Sequence, residues 1–164
     1  MELKKYKHGI LSLDGRVRSE LDRNPVVAVH PYFISEKNEE YDPDYVRRIN
    51  KFFRTLQRPL VVLEEFDKIN KTSDKLNSLG RSSNTFFVET KYRHPDPYTI
   101  EWEDFFRFMR KEFSPESISL CGGYFRMGPT PIDSGCLGYT AHKLSEDDFK
   151  IDILDKKGLT FDWR

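Results

Sequence analysis

The stretch N-P-V-V-A-V-H-P-Y-F occupies residues 24–33 and contains the first of four short apolar runs in the chain. Asn24 and Pro25 are typical of a turn, and the residues that follow are apolar and mostly β-branched. A short run without alternating polar residues is typical of a strand buried on both faces of a parallel sheet. The stretch therefore predicts a central strand, and it places His30 and Tyr32 near the carboxyl end of that strand.

Similar apolar runs predict three more strands, at residues 60–63, 85–88 and 118–121. Apolar residues at helical spacing follow each strand and predict helices between them. The expected starts are Asp42, Thr99 and either Asp133 or Ser134, and a shorter helix is expected to carry Ile69, Leu76 and Leu79. Strands that alternate with helices imply right-handed crossovers and a largely parallel sheet. We therefore predict a three-layer α/β domain with helices on both faces of the sheet.

The chain has 164 residues without an internal repeat or a linker, which suits a single domain over residues 1–164. Residues 1–23 are highly charged, and a weak helical pattern that starts at Ile10 predicts a charged extension or a helix on the domain edge. Near the other end, Ile151 and Ile153 alternate with charged residues. This alternation predicts a strand or a hairpin at the edge of the sheet, with one face in water.

Charge and hydropathy exclude several classes of protein. The 27 Lys and Arg residues balance the 27 Asp and Glu residues, so the domain lacks the basic excess that binds nucleic acid or anionic lipid. No apolar run approaches the ~20 residues of a membrane-spanning helix. Two cysteines are too few for a disulfide framework, so we expect a soluble protein of the reducing cytoplasm. The dense charges and scarce Gln and Cys favour a heat-adapted source.

Residues at the carboxyl ends of the predicted strands are the candidates for a binding site, because ligands of open parallel sheets bind outside these ends. The residues that this rule selects are His30, Tyr32, Glu64, Glu65, Glu89, Lys91, Cys121, Gly122 and Gly123. We expect a small-molecule ligand to contact a subset, namely Tyr32, Glu64, Gly122, Gly123 and, from the next loop, Gly135. The sequence contains no phosphate-binding glycine loop and no His or Cys at zinc-ligand spacing. It therefore predicts no cofactor and no metal site.

Cys136 is the candidate catalytic nucleophile. Ser134, Gly135 and Cys136 open a predicted helix, and the dipole and unpaired N–H groups of a helix N-terminus favour thiolate over thiol. In this interpretation, Lys91 lowers the pKa of the thiol further and His30 transfers protons. In the alternative interpretation, Cys136 is a small buried residue that fills space in the core.

A different chemistry is indicated by the motif Glu89-Thr90-Lys91 at the end of the third strand. Mg²⁺-dependent nucleases combine carboxylates with a lysine near the attacking water. Asp67 or Asp74 would supply the second carboxylate. The balanced charge of the domain argues against a nucleic-acid partner, so the nuclease is an alternative to the cysteine chemistry.

Several short motifs follow one another in a recognisable order. They are Lys91 at a strand end, Leu120-Cys121-Gly122, Gly135-Cys136-Leu137 and Thr140-Ala141. Over residues 24–145 this order resembles the isochorismatase-like cysteine hydrolases. The resemblance implies that Cys136 is the nucleophile and Lys91 its partner, whereas the acid of the family falls at His30 and the loop before Cys136 is longer. It implies either a cysteine hydrolase or a divergent member that has lost the activity.

Three functions follow from these observations. The first is a cysteine-dependent hydrolase of a small amide or ester. The second is a non-catalytic domain that binds a ligand or forms a homo-oligomer, in which the many Phe and Tyr residues anchor the partner. The third is the Mg²⁺-dependent nuclease based on Glu89 and Lys91. None of them involves a membrane.

Overall fold

A computed structural model describes residues 4–5, 10–12, 24–33, 42–81, 84–126 and 129–162. The strands are β1 (Lys4–Lys5), β2 (Ile10–Ser12), β3 (Val26–Val29), β4 (Leu60–Glu65), β5 (Thr85–Arg93), β6 (Asp96–Thr99), β7 (Ile118–Gly123), β8 (Ile151–Ile153) and β9 (Thr160–Phe161). The α-helices are α1 (Pro43–Thr55), α2 (Ile69–Ser78), α3 (Trp102–Phe113) and α4 (Gly135–Glu146). None of the helices in these ranges is long and apolar enough to cross a membrane.

The strands form one mixed sheet in the order β1-β2-β5-β4-β3-β7-β8, with β6 added to β5 and β9 added to β7. The central strands β5, β4, β3 and β7 run parallel, and β8 and β9 run parallel to β7. The strands β1, β2 and β6 pair antiparallel. The predicted α/β domain with a mainly parallel sheet is therefore confirmed.

Each face of the sheet is covered by two helices. Successive side chains of a strand point to opposite faces, so Val27 and Val29 belong to one buried cluster and Val26 and Ala28 to another. The face that carries Val27, which we name face A, is packed against α3 and α4. The opposite face, face B, is packed against α1 and α2. Both faces are apolar, which explains why the central strands lack polar alternation.

The first helix begins as the sequence predicts. The Asp42 carboxylate accepts a hydrogen bond from the Tyr45 backbone N–H at 3.0 Å, and Pro43 occupies the first helical position. The predicted Thr99 cap of α3 is wrong, because Thr99 belongs to β6 and Glu101 precedes the helix. Ser134 does precede α4, but its hydroxyl donates to the Thr130 carbonyl at 2.8 Å and accepts no capping hydrogen bond from an N–H of the helix.

The edges of the sheet differ from the sequence prediction. The helix predicted from Ile10 onward is wrong over β2, which pairs with β5 and so finds partners for its backbone groups. Residues 13–23 lie outside the described residues. At the other end the predicted strand is confirmed, but the hairpin is wrong. Strands β8 and β9 both pair parallel with β7, one after the other along the same edge.

The order of the strands reverses beside β3. Along the chain, β3 is followed by β4 and then β5 on one side, whereas β7 lies on the other side of β3. In open α/β sheets, ligands bind outside the carboxyl ends of the strands at such a switch point. The fold therefore places a site between the residues that follow β3 and those that follow β7.

Candidate functional site

A cavity of about 510 Å³ lies at the carboxyl ends of the central strands. Its wall includes His30 after β3, Glu65 at the end of β4, Thr90 on β5 and Tyr124 after β7. Cys136, in the first turn of α4, completes it. The cavity thus occupies the switch point that the strand order defines.

His30 is held in one orientation. Its backbone has a φ of 42°, a left-handed conformation that is uncommon for a residue other than glycine, and its N–H donates to the Leu63 carbonyl at 2.9 Å. The ring Nε2 and the Thr90 hydroxyl form a 2.9 Å hydrogen bond, and the His30 and Tyr98 rings are nearly perpendicular, with their centres 5.7 Å apart. Burial, and then the charge of Lys68, lower the pKa of His30 to about 4. The imidazole is therefore neutral at pH 7.

A short chain of hydrogen bonds connects β6 with α4 beside the cavity. The Thr140 hydroxyl donates to the Cys136 carbonyl at 2.7 Å, so its oxygen is left to accept a hydrogen bond from the Tyr98 hydroxyl. Tyr98 and Thr140 are both buried. This connection fixes the first turn of α4 relative to the wall that carries Tyr98.

The start of α4 lies directly against the loop after β7. The Leu137 N–H donates to the Tyr124 carbonyl at 2.8 Å. Gly135 has a φ of 76°, and a Cβ there would lie only 2.7 Å from the Tyr124 oxygen. The close approach requires glycine, and it positions Cys136 in the cavity wall.

The Cys136 thiol is protonated at neutral pH. Burial raises its pKa to about 11, and the Glu65 carboxylate raises it too, although a hydrogen bond with the Tyr124 backbone acts in the opposite direction. The predicted lowering of this pKa is therefore wrong. Desolvation is the largest cause of the shift, and the charged group that raises the pKa further is a carboxylate from β4 rather than a lysine.

Lys91 does not reach the cavity. Thr90 is buried against His30, and the next residue along a strand points to the opposite face. Lys91 is exposed and is not one of the residues of the cavity wall. The structure therefore brings together Cys136 and His30 but not Lys91.

Two of the expected ligand-contacting side chains belong to face B. The Tyr32 hydroxyl donates to the Asn50 side-chain oxygen at 2.7 Å, beside α1. The Glu64 carboxyl accepts hydrogen bonds from the Thr72 hydroxyl at 2.8 Å and from the Glu65 N–H at 3.0 Å. Burial raises the pKa of Glu64 to about 7. Neither side chain lines the cavity.

Two of the three expected glycines line the cavity, whereas the third glycine and Cys121 do not. Gly123 and Gly135 line the cavity, as expected. Gly122 does not, because it packs against the Val29 backbone between β3 and β7. Cys121 lies in the core of face B, and burial raises its pKa strongly. It does not line the cavity, although the strand-end rule selected it.

Several wall residues are absent from the sequence prediction. They are Phe33, Thr90, Tyr92, Asp96, Tyr98, Tyr124, Arg126, Ile132 and Asp133, with Pro95 and Pro97. Thr90 lies opposite Glu65 in the register of β5 and β4, so strand pairing identifies it once one partner is known. The others come from the β5–β6 hairpin and from loops, where no periodicity indicates which way a side chain points.

The described residues do not assemble the nuclease motif. Among them, no three His, Cys, Asp or Glu side chains form a group that could hold a metal ion. Glu89 lies opposite Glu64 in the sheet and shares face B with it, whereas the cavity opens on the side of Thr90. The nuclease stays a prediction without structural support.

No family model, no curated protein and no solved structure matches this chain. The resemblance to the isochorismatase-like cysteine hydrolases therefore stays a prediction from short motifs. What the geometry defines is a class: an α/β domain with a cavity at the switch point of its sheet.

Proposed function

We propose that this domain binds a small organic molecule in the cavity at the switch point. The observation that carries the proposal is the position of the cavity, between the segments that follow β3 and β7. Its volume of about 510 Å³ falls within the ~300–1,000 Å³ of small-molecule sites. Ligand binding requires only a cavity of suitable size, whereas the alternative functions also require an activated thiol or a metal ion.

The rim of the cavity supports the same function. The large hydrophobic side chains that are exposed in the described part of the chain are Phe66, Tyr92 and Ile132. Two of them, Tyr92 at 78% exposure and Ile132 at 46%, line the cavity. Apolar surface that gathers at the mouth of a cavity is covered when a ligand enters, which is a favourable change.

A fragment screen on the full-length chain, read by protein-observed NMR, tests this function. We expect the fragments that bind to shift the amide signals of Gly123, Tyr124 and Cys136. A second cavity of about 460 Å³, lined by Arg110, Phe149 and neighbours, is the internal comparison. Fragments that bind only there, or no binding fragments at all, contradict the proposal.

Two surface variants sharpen the test. Ile132→Lys places a charge on the rim of the cavity, whereas Phe66→Lys changes an exposed aromatic residue that does not line it. We expect the first substitution to weaken fragment binding severalfold and the second to leave it unchanged. Equal effects would place the bound fragments elsewhere.

A second candidate function is cysteine-dependent hydrolysis, because Cys136 and His30 share one cavity. The protonated thiol would have to lose its proton as it attacks a carbonyl carbon, and the neutral imidazole of His30 is the available acceptor. The proton would then pass from His30 to the departing amine or alcohol, and water would hydrolyse the resulting acyl-cysteine thioester to a carboxylic acid and the free thiol. Unlike the interpretation from sequence, this arrangement does not use Lys91.

Alkylation of Cys136 by iodoacetamide at pH 7 tests the hydrolase. A thiol whose pKa is about 11 reacts slowly at pH 7, because only the thiolate is nucleophilic. If His30 activates it, alkylation is faster than this pKa allows, and His30→Asn slows it. Slow alkylation in both proteins contradicts the hydrolase and leaves the binding function intact.

A further inference from the structure

We infer that the ligand of the cavity is a small organic cation, an amine that is protonated at neutral pH and attached to a flat apolar body. The inference rests on the proposed binding function and adds the chemical class of the ligand. It stands on the charges of the wall, on one buried histidine and on the aromatic rings beside them.

The charges of the wall leave an excess of carboxylate. Glu65 pairs with Lys68 at 3.2 Å, and Arg126 pairs with Asp162 at 3.4 Å, so these groups largely cancel. Asp96 and Asp133 also line the cavity. Within the described ranges, neither aspartate has a Lys, Arg or His partner within ion-pair distance. Two uncompensated carboxylates at one cavity attract a cation and repel an anion.

His30 does not oppose this charge, since it is neutral. It is 94% buried, with 6% of its surface exposed, and it lines the cavity through a ring that uses Nε2 for the Thr90 hydroxyl. Its Nδ1 makes no hydrogen bond to the described residues. When Nε2 carries the ring proton, Nδ1 is a hydrogen-bond acceptor. An ammonium group, which has N–H donors only, matches this acceptor and the two carboxylates.

Aromatic rings supply the rest of the environment. Phe33, Tyr98 and Tyr124 line the cavity, and the faces of such rings attract cations while their surface accommodates an apolar body. The Phe33 ring already has the Lys68 ammonium 4.6 Å from its centre, so Tyr98 and Tyr124 are the wall rings that we expect a ligand cation to contact. A ligand with a flat apolar group next to an ammonium could therefore pack the apolar group on these rings and place the ammonium near the carboxylates.

Matched probes separate charge from shape. The cationic probes are benzylamine, phenethylamine and 3-phenylpropylamine at pH 7, and each is compared with the alcohol and the carboxylate of the same length. Calorimetric titration of the full-length chain gives the affinities. We expect the ammonium form to bind about tenfold more tightly than the alcohol, as one charge-assisted hydrogen bond suggests. The carboxylates should bind most weakly.

Charge-removing variants test which groups carry the effect. Asp96→Asn and Asp133→Asn keep the size of the side chain, and Asn still accepts the hydrogen bond that Thr130 donates to Asp133 at 2.7 Å. The control is Asp44→Asn, which removes an exposed carboxylate paired with Arg47 on α1. We expect a severalfold loss of amine affinity in each cavity variant and none in the control. Circular dichroism checks folding, and two independent variants keep the test decisive if one does not fold.

The outcomes distinguish this inference from the function on which it rests. The inference is supported if the amines bind more tightly than the alcohols and carboxylates and if this difference decreases in Asp96→Asn or Asp133→Asn. Equal or tighter binding of the alcohols or carboxylates in the cavity overturns the cationic class but leaves the binding function in place. If no probe binds and no fragment binds, both the inference and the proposed function are wrong.

Discussion

Glu64 and His30 are two buried titratable residues with opposite pKa shifts on opposite faces of the sheet. Burial raises the pKa of Glu64 from 4.5 to about 7, so its carboxyl is protonated in the folded chain at mildly acid pH. Burial lowers the pKa of His30 from 6.5 to about 4, so its ring stays neutral there. Between pH 4.5 and 6.5, folding therefore protonates one side chain and deprotonates the other. The proton uptake at Glu64 and the release at His30 cancel in this window.

Glu64→Gln should expose the contribution of this carboxyl to stability. The stability associated with protonated Glu64 is fully present below pH 4.5 and is lost as the pH rises to about 7, because the unfolded chain releases the proton first. The glutamine variant does not pay this penalty. We expect it to match the wild type near pH 4.5 and to exceed its free energy of unfolding by about 3 kcal/mol at pH 8, measured by urea denaturation.

The complementary variant is His30→Asn, since asparagine tolerates a left-handed backbone. The stability associated with neutral His30 is present above pH 6.5 and is lost as the pH falls to about 4. The difference in stability between wild type and this variant should therefore shrink as the pH falls. If the Glu64→Gln difference is independent of pH, the assigned protonation of Glu64 is wrong.

At the scale of elements, β3 and β7 approach closely because Gly122 has no side chain. Its φ is 98°, and a Cβ would lie 2.2 Å from the Val29 carbonyl oxygen. Gly122 pairs with Val29 in the sheet, directly below the segments that bound the cavity. The sequence predicted that this glycine contacts a ligand, whereas it makes room for the neighbouring strand.

Gly122→Ala should destabilise the fold far more than an alanine substitution at another glycine with a positive φ but with open space around it. Gly80 is the matched control, since its φ is 79° and a Cβ there meets nothing within 4 Å. We expect Gly80→Ala to lower the free energy of unfolding by about 1 kcal/mol. Gly122→Ala should lower it by about 3 kcal/mol or more, because the strand contact must also yield. Equal losses in thermal or urea unfolding would show that the contact does not matter.

The strands also explain how much the sequence could predict. Short apolar runs identified the central strands and the edge of the sheet where the cavity lies, because burial on both faces produces that pattern. The same pattern conceals which face a side chain occupies. The sequence assigned ligand contact to Glu64 and a catalytic role to Lys91, whereas the cavity is lined by Thr90 and by Glu65, the latter also selected by the strand-end rule. A shift of one residue exchanges the faces, and only packing against the helices decides it.

Across the whole molecule, the ion pairs of the described residues are mostly local surface pairs, so they support none of the proposed functions over another. Three of them join residues three apart in the chain, such as Asp44 with Arg47 and Asp104 with Arg107. Such surface pairs stabilise a protein by less than about 1 kcal/mol each. The heat-adapted source, the homo-oligomer and the cytoplasmic location stay predictions.

The carboxyl-terminal strand joins the edge of the sheet to the cavity. Phe161 pairs with Gly123 in the register of β9 and β7, and its ring packs on Gly123, where a Cβ would lie 2.4 Å away. The same ring meets Tyr45 at 4.8 Å and Tyr124 at 6.2 Å. The Phe161 carbonyl accepts a hydrogen bond from the Phe125 N–H at 2.9 Å. The loop after β7 is therefore held in place by a segment far along the chain.

Phe161→Ala should loosen the cavity wall in addition to lowering stability. Phe149→Ala is the matched control, since Phe149 is also buried but packs on face A, away from the cavity. We expect each substitution to cost about 3 kcal/mol. Only the first should speed amide exchange at Phe125 beyond the rate that global unfolding explains, because β9 would open locally. Equal exchange at Phe125 in both variants would mean that the carboxyl-terminal strand supports the sheet but not the cavity.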